Sequence, residues 1–347
     1  MACILKSLIA TEMSMLAGLL LAACTARGSA PDAQSPAIEA TNDASASVED
    51  APSTSEGSPN DTGAGVELPW DAPMLPLPCN GSPSYCEKRY DELCQVATHD
   101  SAADSAVYWM APAQDRSLRA QLDNSIRVLT LTVAEYQSVV SVCQEDCAEG
   151  NTPLALVLDT VKGFLDVNPR EVVTLLIDTT VPAIQLASEF AAKKLDALAH
   201  TQAVQASWPM LGDMITAGHR LVVLSSSSEG GPAWLLSRQA FLWETGREWT
   251  SLAAMTCNPA VGNSSRPLYL VHHDLVEPSD GAGASPPSIV RAAEANARST
   301  VLTRLQQCAA QFGHAPNYVA IDFFEIGDAQ GATMVVNGGP PPPSGLP

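Results

Sequence analysis

Residues 153–178 read PLALVLDTVKGFLDVNPREVVTLLID. The first half sets Leu154, Val157, Leu158, Val161 and Leu165 at the spacing of one helix face, and Pro153 stands where a helix start tolerates proline. The second half, Val172 to Ile177, is an apolar run with Thr174 inside it, the pattern of a strand buried on both faces. It ends on Asp178. A helix feeding a doubly buried strand that ends on a polar residue is the repeating unit of a parallel α/β fold.

The alternation continues on both sides of this stretch. Cys94 to Thr98 is short and apolar and leads into His99-Asp100-Ser101. Ile126 to Val133 and Val139 to Cys143 read as strands rich in β-branched residues. Further strands are expected at Leu221–Leu224, Leu268–Val271 and Tyr318–Ile321. Helices are expected at Ala183–Ala199, Leu211–Ala217 and Ile289–Phe312. Roughly 250 residues of this pattern suit a TIM-type (β/α) barrel, irregular in places. A doubly wound sheet is the alternative, since no Gly-rich phosphate loop decides between them. Polar residues stand directly after strands: His99-Asp100, Asp178, Ser225, His272-His273 and Asp322. In a barrel that end carries the active site.

The chain has 347 residues, 46% of them hydrophobic, and a net charge of −20. Such an acidic chain repels phosphate backbones, so nucleic acid is not an expected partner. Any phosphate site must be local, built from a few Arg, His or backbone groups.

The ends differ in composition from the middle. Residues 1–23 read as a signal peptide whose apolar run, Met15 to Ala23, is too short to span a bilayer. Leu21-Ala22-Ala23-Cys24 resembles the bacterial lipobox, which implies a diacylated Cys24, a membrane anchor through that lipid, and a place in the bacterial cell envelope, at the outer membrane or cell surface. An ordinary signal peptide with Cys24 incidental is the other reading. Residues 24–78 are rich in Ser, Ala, Asp, Glu, Pro, Thr and Gly, and bury too little to offset ordering entropy; they read as a disordered acidic linker. The folded domain is expected at 79–330, and 331–347 reads as a Pro/Gly-rich tail.

Of nine cysteines, Cys3 lies in the signal and Cys24 at the lipid site. An exported chain meets an oxidising compartment. Cys79/Cys86 and Cys143/Cys147 are close pairs that could close small loops, and Cys257/Cys308 would close a long one. Cys94 is left over as a buried free thiol. Zinc is the rival use of the cysteine pairs, but no CxxC spacing supports it.

Several blocks, in order, resemble the phosphatidylinositol-specific phospholipase C X-domain-like, or phospholipase C-like phosphodiesterase, family. They are Cys79-Asn80-Gly81, Thr98-His99-Asp100-Ser101, Gln121-Leu122 with Ile126-Arg127, and Cys143-x-x-x-Cys147. Pro169-Arg170-Glu171-Val172-Val173-Thr174, Trp208-Pro209, Trp243-Glu244-Thr245 and Pro316 to Asp328 continue the series. The resemblance covers about Cys79 to Asp328. It implies a barrel and attack of an inositol hydroxyl on the phosphorus of a phospholipid or related phosphodiester. One His acts as base, a second as acid, and a cation stabilises the phosphate.

Carried over residue by residue, His99 falls on the first family His and Asp100 on its supporting neighbour. The second His is replaced by Gln144, which has no titratable proton near neutral pH. Thr132 and Ala134 replace charged positions, so the site reads as degenerate. His272 or His273 could stand in for the missing imidazole, with His273 also readable as framework. Arg127 could bind phosphate or pair with a carboxylate, and Asp322 could support an imidazole or cap a helix. Glu135, Glu145 and Asp146 could supply a carboxylate instead, or read as solvated loop charges. No metal or cofactor is expected; calcium is the ion the resemblance raises, and Thr132 and Ala134 are poor ligands for it. Two functions stand: an altered phosphodiesterase with His99 as base, or a non-catalytic barrel binding a lipid head group or protein.

Overall fold

The computed structural model describes residues 76–340 apart from 107–108, 145 and 278–285. The expected signal peptide, Cys24, most of the linker, Glu145 and the end of the tail lie outside the described residues.

The strands are β1 (Gln95–Thr98), β2 (Val128–Tyr136), β3 (Val139–Cys143), β4 (Asn151–Pro153), β5 (Val173–Thr179), β6 (Leu221–Ser225), β7 (Leu235–Ser237), β8 (Leu242–Thr245), β9 (Pro259–Val261), β10 (Leu268–His272) and β11 (Tyr318–Ile321). The helices are α1 (Leu118–Asp123), α2 (Leu154–Val167), α3 (Ala183–Ala192), α4 (Leu211–Thr216), α5 (Arg238–Phe241), α6 (Ile289–Ala295), α7 (Arg298–Phe312) and α8 (Ala329–Val336). One sheet runs in the order β7-β6-β5-β2-β1-β11-β10-β8-β9. From β7 to β8 every neighbouring pair is parallel, while β9 and the β3–β4 extension pair antiparallel. The first strand pairs with the last, β1 with β11, as in a barrel; a doubly wound sheet keeps them apart. No ladder joins β7 to β8 among the described residues, so the sheet is a curled, open half-barrel.

The apolar run 172–177 explains its own burial. Leu175 and Ile177 point to the helices, among them α2 with Leu158, Val161 and Leu165. Leu176 points inward, beside Val222, Leu270 and Ala320. The segment before β1 plugs the lower end. Tyr90 stacks on Trp208 with ring centroids 4.5 Å apart, and its hydroxyl meets Thr174 Oγ1 at 2.8 Å. The opposite end, where the parallel strands finish, stays open.

Three expected elements differ. The helix expected to Ala199 stops at Ala192, because Lys194 turns left-handed at φ 56° and a short turn follows. The long helix expected from Ile289 to Phe312 is broken into α6 and α7 at Asn296-Ala297. The tail expected from 331 begins later: α8 packs on α7, and the Asn337 amide exchanges hydrogen bonds of 2.9 and 2.8 Å with the Cys94 backbone.

Disulfides join Cys79–Cys86, Cys143–Cys147 and Cys257–Cys308, and Cys94 is free and buried.

Candidate active site

Sheet register sets the first pair. Thr98 of β1 lies beside Ile321 of β11, and the His99 amide donates to the Ile321 carbonyl at 3.0 Å. The next residues along both strands, His99 and Asp322, therefore meet: His99 Nδ1 stands 3.2 Å from Asp322 Oδ1. Each is followed by a left-handed residue, Asp100 at φ 38° and Phe323 at φ 46°, which turns the chain away from the strand end. Gln114 holds both strands in place, donating to the His99 carbonyl at 2.9 Å and the Ile321 carbonyl at 3.2 Å. Gln121 secures the loop after His99 by accepting from the Thr98 hydroxyl and donating to the Ser101 carbonyl.

On the other side of the imidazole, His99 Nε2 stands 2.7 Å from Nδ1 of His272, the last residue of β10. His272 Nε2 in turn donates to Glu244 Oε2 at 3.0 Å. Arg238 grips the same carboxylate with two bonds of 2.9 Å. The result is a line of buried groups, Asp322, His99, His272 and Glu244, ending on the partly exposed Arg238. The outer carboxylates take the protons on His99 Nδ1 and His272 Nε2. Two bare nitrogen lone pairs cannot face each other at 2.7 Å, so one further proton lies between the rings.

Burial pushes the His99 imidazole toward neutrality, but the charges of Asp274 and Asp322 outweigh it and its pKa is raised. Burial dominates at His272 and lowers its pKa. Glu244 is pushed up by burial yet pulled down to about 2 by His272 and Arg238. Burial raises the carboxyl of Asp322. Asp274 is held low by His99 and His272 despite its burial.

A cavity of about 290 Å³ opens beside His99. Its walls bring in Asp100, Thr132, Gln144, Arg247, Asp274 and Asp322. Burial disfavours the Arg247 cation, but Asp100 and Asp274 more than restore it and raise its pKa.

Of the residues expected from sequence, His99, Asp100, Gln144 and Asp322 line this cavity together. The structure does not bring His273 or Arg127 to it. His273 is turned outward to the Ala295 carbonyl at 2.9 Å, and burial lowers its pKa to about 4. Neighbours along a strand face opposite ways, so only His272 reaches His99. Arg127 precedes β2, at the far end of the sheet. It pairs with Glu171 at 2.7 Å and lies over Phe164, with 4.8 Å to the ring centroid. Asp178 lines a separate cavity with Glu244 and His272. Arg247 and Asp274 escaped the sequence reading. Their signal was position: each stands two residues beyond a strand end, after Thr245 and His272.

Calcium asks for six to eight oxygen ligands. Among the described residues, the group that could hold a metal is His99, His272 and Asp274, with two nitrogens and one carboxylate. That donor set does not fit calcium.

The half-barrel places the chain in the class of phospholipase C-like phosphodiesterase folds. The family model PI-PLC X, described as PI-PLC X 1, matches residues 85–337, and the chain belongs to that family. It is 32% identical over 285 residues to PI-PLC X domain-containing protein 1 of Arthroderma benhamiae, covering 76% of this chain and 90% of that one. It is 26% identical over 287 residues to a protein of the same organism described as an uncharacterized secreted protein, covering 76% and 64%. Among solved structures it is similar to phosphatidylinositol-specific phospholipase C from Listeria monocytogenes. The TM-score is 0.52 at 14% identity, over 75% of this chain and 97% of that one. This last likeness is one of fold.

Proposed function

We propose that this protein is an altered phosphodiesterase that acts on phosphatidylinositol-type lipid or a related phosphodiester, with His99 as general base and no second imidazole lining the cavity to act as acid. The observation that carries the reading is the cavity where His99, backed by Asp322, stands with Arg247 and Gln144. A hydroxyl next to the phosphate would attack phosphorus and give its proton to His99 Nε2, the proton shared between the rings staying on His272 Nδ1. The bond to the glycerol oxygen would break, leaving a cyclic phosphate. Arg247 would neutralise the phosphate oxygens. Gln144 stands where an acid is wanted and has no proton to give, so the leaving oxygen must take one from water. Losing one general acid typically costs about 10²–10⁴-fold in rate. The substrate hydroxyl must also displace His272 from His99 Nε2, which slows the step further.

We also propose that the protein works outside the cytoplasm, tethered through Cys24. Three disulfides and the relative described as secreted support export.

The test is incubation of the full chain with phosphatidylinositol vesicles, followed by phosphorus NMR for cyclic inositol phosphate. Product that disappears with His99→Ala supports the reading. Product at the level of that control overturns it and leaves a binding protein for a lipid head group or a protein.

A further inference from the structure

We propose that His99 Nε2, His272 Nδ1 and Asp274 Oδ1 form a binding site for one transition-metal dication of the zinc type. The site is defined by its side chains and does not rest on the phosphodiesterase reading.

The ligand atoms lie within 4.8 Å of one another, and all three residues are buried. Each imidazole has its other nitrogen taken by a carboxylate, Asp322 for His99 and Glu244 for His272. A carboxylate behind each ligating His is the usual outer support of a metal, since it fixes the tautomer and strengthens the donor nitrogen. Arg238 holds Glu244 in that role with its paired bonds of 2.9 Å.

Asp274 gives an independent indication. Its Oδ2 accepts from the Glu248 amide at 2.9 Å. Its Oδ1 accepts no hydrogen bond, although the side chain is only 5% exposed, and it stands 4.0 Å from His99 Nε2. A buried carboxylate oxygen without a donor is costly. A cation between it and the imidazoles satisfies three donor atoms at once.

The rings are nearly coplanar, 9° apart in plane with centroids 5.0 Å apart, so the two ligand nitrogens face each other along one line and must turn toward the ion. Zinc–nitrogen bonds of 2.0–2.1 Å at a tetrahedral angle set two nitrogens about 3.3 Å apart. The rings, now 2.7 Å apart at these atoms, must part by about 0.6 Å, and each must tilt by about 35°, to aim both lone pairs at one tetrahedral ion. Asp274 must close on them. The fourth position opens on the cavity that His99 and Asp274 both line. Two imidazoles and one carboxylate favour zinc over calcium. The metal replaces the proton between the rings, which leaves to solvent. It also takes the lone pair of His99, so a loaded site has no free base there.

The experiment is calorimetric titration of the chelator-treated full chain with zinc chloride, with calcium chloride as comparison and cobalt(II) absorption to read coordination. We expect one zinc per chain, tetrahedral visible bands from cobalt(II) bound to the zinc-free chain that added zinc abolishes, and no calcium heat at the same concentration. Asp274→Asn keeps the shape and the Glu248 contact and should weaken zinc at least 10-fold. Glu244→Gln leaves all three ligands and should weaken it about 10–100-fold. Absence of zinc binding up to about 1 mM overturns the proposal. So does zinc affinity unchanged in Asp274→Asn and His272→Gln, which would place the metal elsewhere on the chain. If either Glu244→Gln or His272→Gln fails to fold, Asp274→Asn decides by itself, because the oxygen it replaces makes no hydrogen bond.

Discussion

Thr132 of β2 is paired in register with Cys143 of β3, so the residue after Cys143, Gln144, is delivered to the cavity beside Thr132 and His99. The two-residue turn Gln137-Ser138, with φ of 49° and 65°, closes this hairpin in the twist that suits it. The Cys143–Cys147 disulfide then fixes the loop. An imidazole in place of Gln144 would face the same cavity as His99. Gln144→His should therefore raise phosphatidylinositol cleavage by up to about 10²–10⁴-fold. Initial rates on vesicles check this; no gain in a folded variant removes Gln144 from the role of missing acid.

Arg247 is the guanidinium on the wall of a cavity that also carries the carboxylates of Asp100, Glu149, Glu248, Asp274 and Asp322. A phosphodiester entering there has this cation to meet. Arg247→Ala should lower kcat/KM by about 10²–10³-fold, and Arg247→Lys should recover part of it, because a point charge replaces a planar fork. Kinetics of the three proteins on one substrate, with thermal unfolding to show an unchanged fold, give the answer.

Glu244 carries the inner end of the buried line. It accepts from His272 and twice from Arg238, and its side chain is 6% exposed. Glu244→Leu leaves a partly buried guanidinium and a buried imidazole N–H without their acceptor. The loss should be about 3–5 kcal/mol, read by urea unfolding. Adding Arg238→Leu should return part of it, because the two side chains form one unit.

The fold was legible because burial on both faces leaves a plain apolar run, as at 172–177, and because α2 keeps a single helix face. Register is what makes the site, and register is not written locally. His99 and Asp322 are 223 residues apart and meet through the β1–β11 ladder. β8 was hidden because Glu244 interrupts its apolar pattern; that charge is tolerated only beside Arg238 and His272. With β8 unseen as a strand, Arg247 had no strand end to mark it. His272 and His273 are neighbours in sequence with opposite fates, and only the facing of β10 separates them.

Cys94 is 1% exposed, and burial raises its thiol pKa to about 12. At pH 8 its thiolate fraction is on the order of 10⁻⁴. Iodoacetamide should leave the peptide containing Cys94 unmodified in the native protein and alkylate it fully in urea without reductant. Peptide mass mapping distinguishes this from a reactive thiol, which would be labelled at similar rates in both.

Two glycines should respond to alanine with opposite signs. Gly163 lies on the exposed side of α2 with open space where a Cβ would go. Alanine there removes backbone freedom from the unfolded chain, and Gly163→Ala should stabilise by about 0.5–1 kcal/mol. Gly327 sits at φ 81°, and a Cβ would overlap the Asn296 carbonyl. That carbonyl accepts from the Asp328 amide at 2.9 Å, while the Asn296 side chain donates to the Asp322 carbonyl at 2.8 Å. Gly327→Ala adds left-handed strain to a backbone collision and should cost about 1–3 kcal/mol or more. The displacement runs through Asn296 to Asp322, the carboxylate behind His99. Activity should fall in Gly327→Ala and hold in Gly163→Ala, measured well below both melting temperatures. Equal activity in both would mean that the Asn296 bridge does not position Asp322.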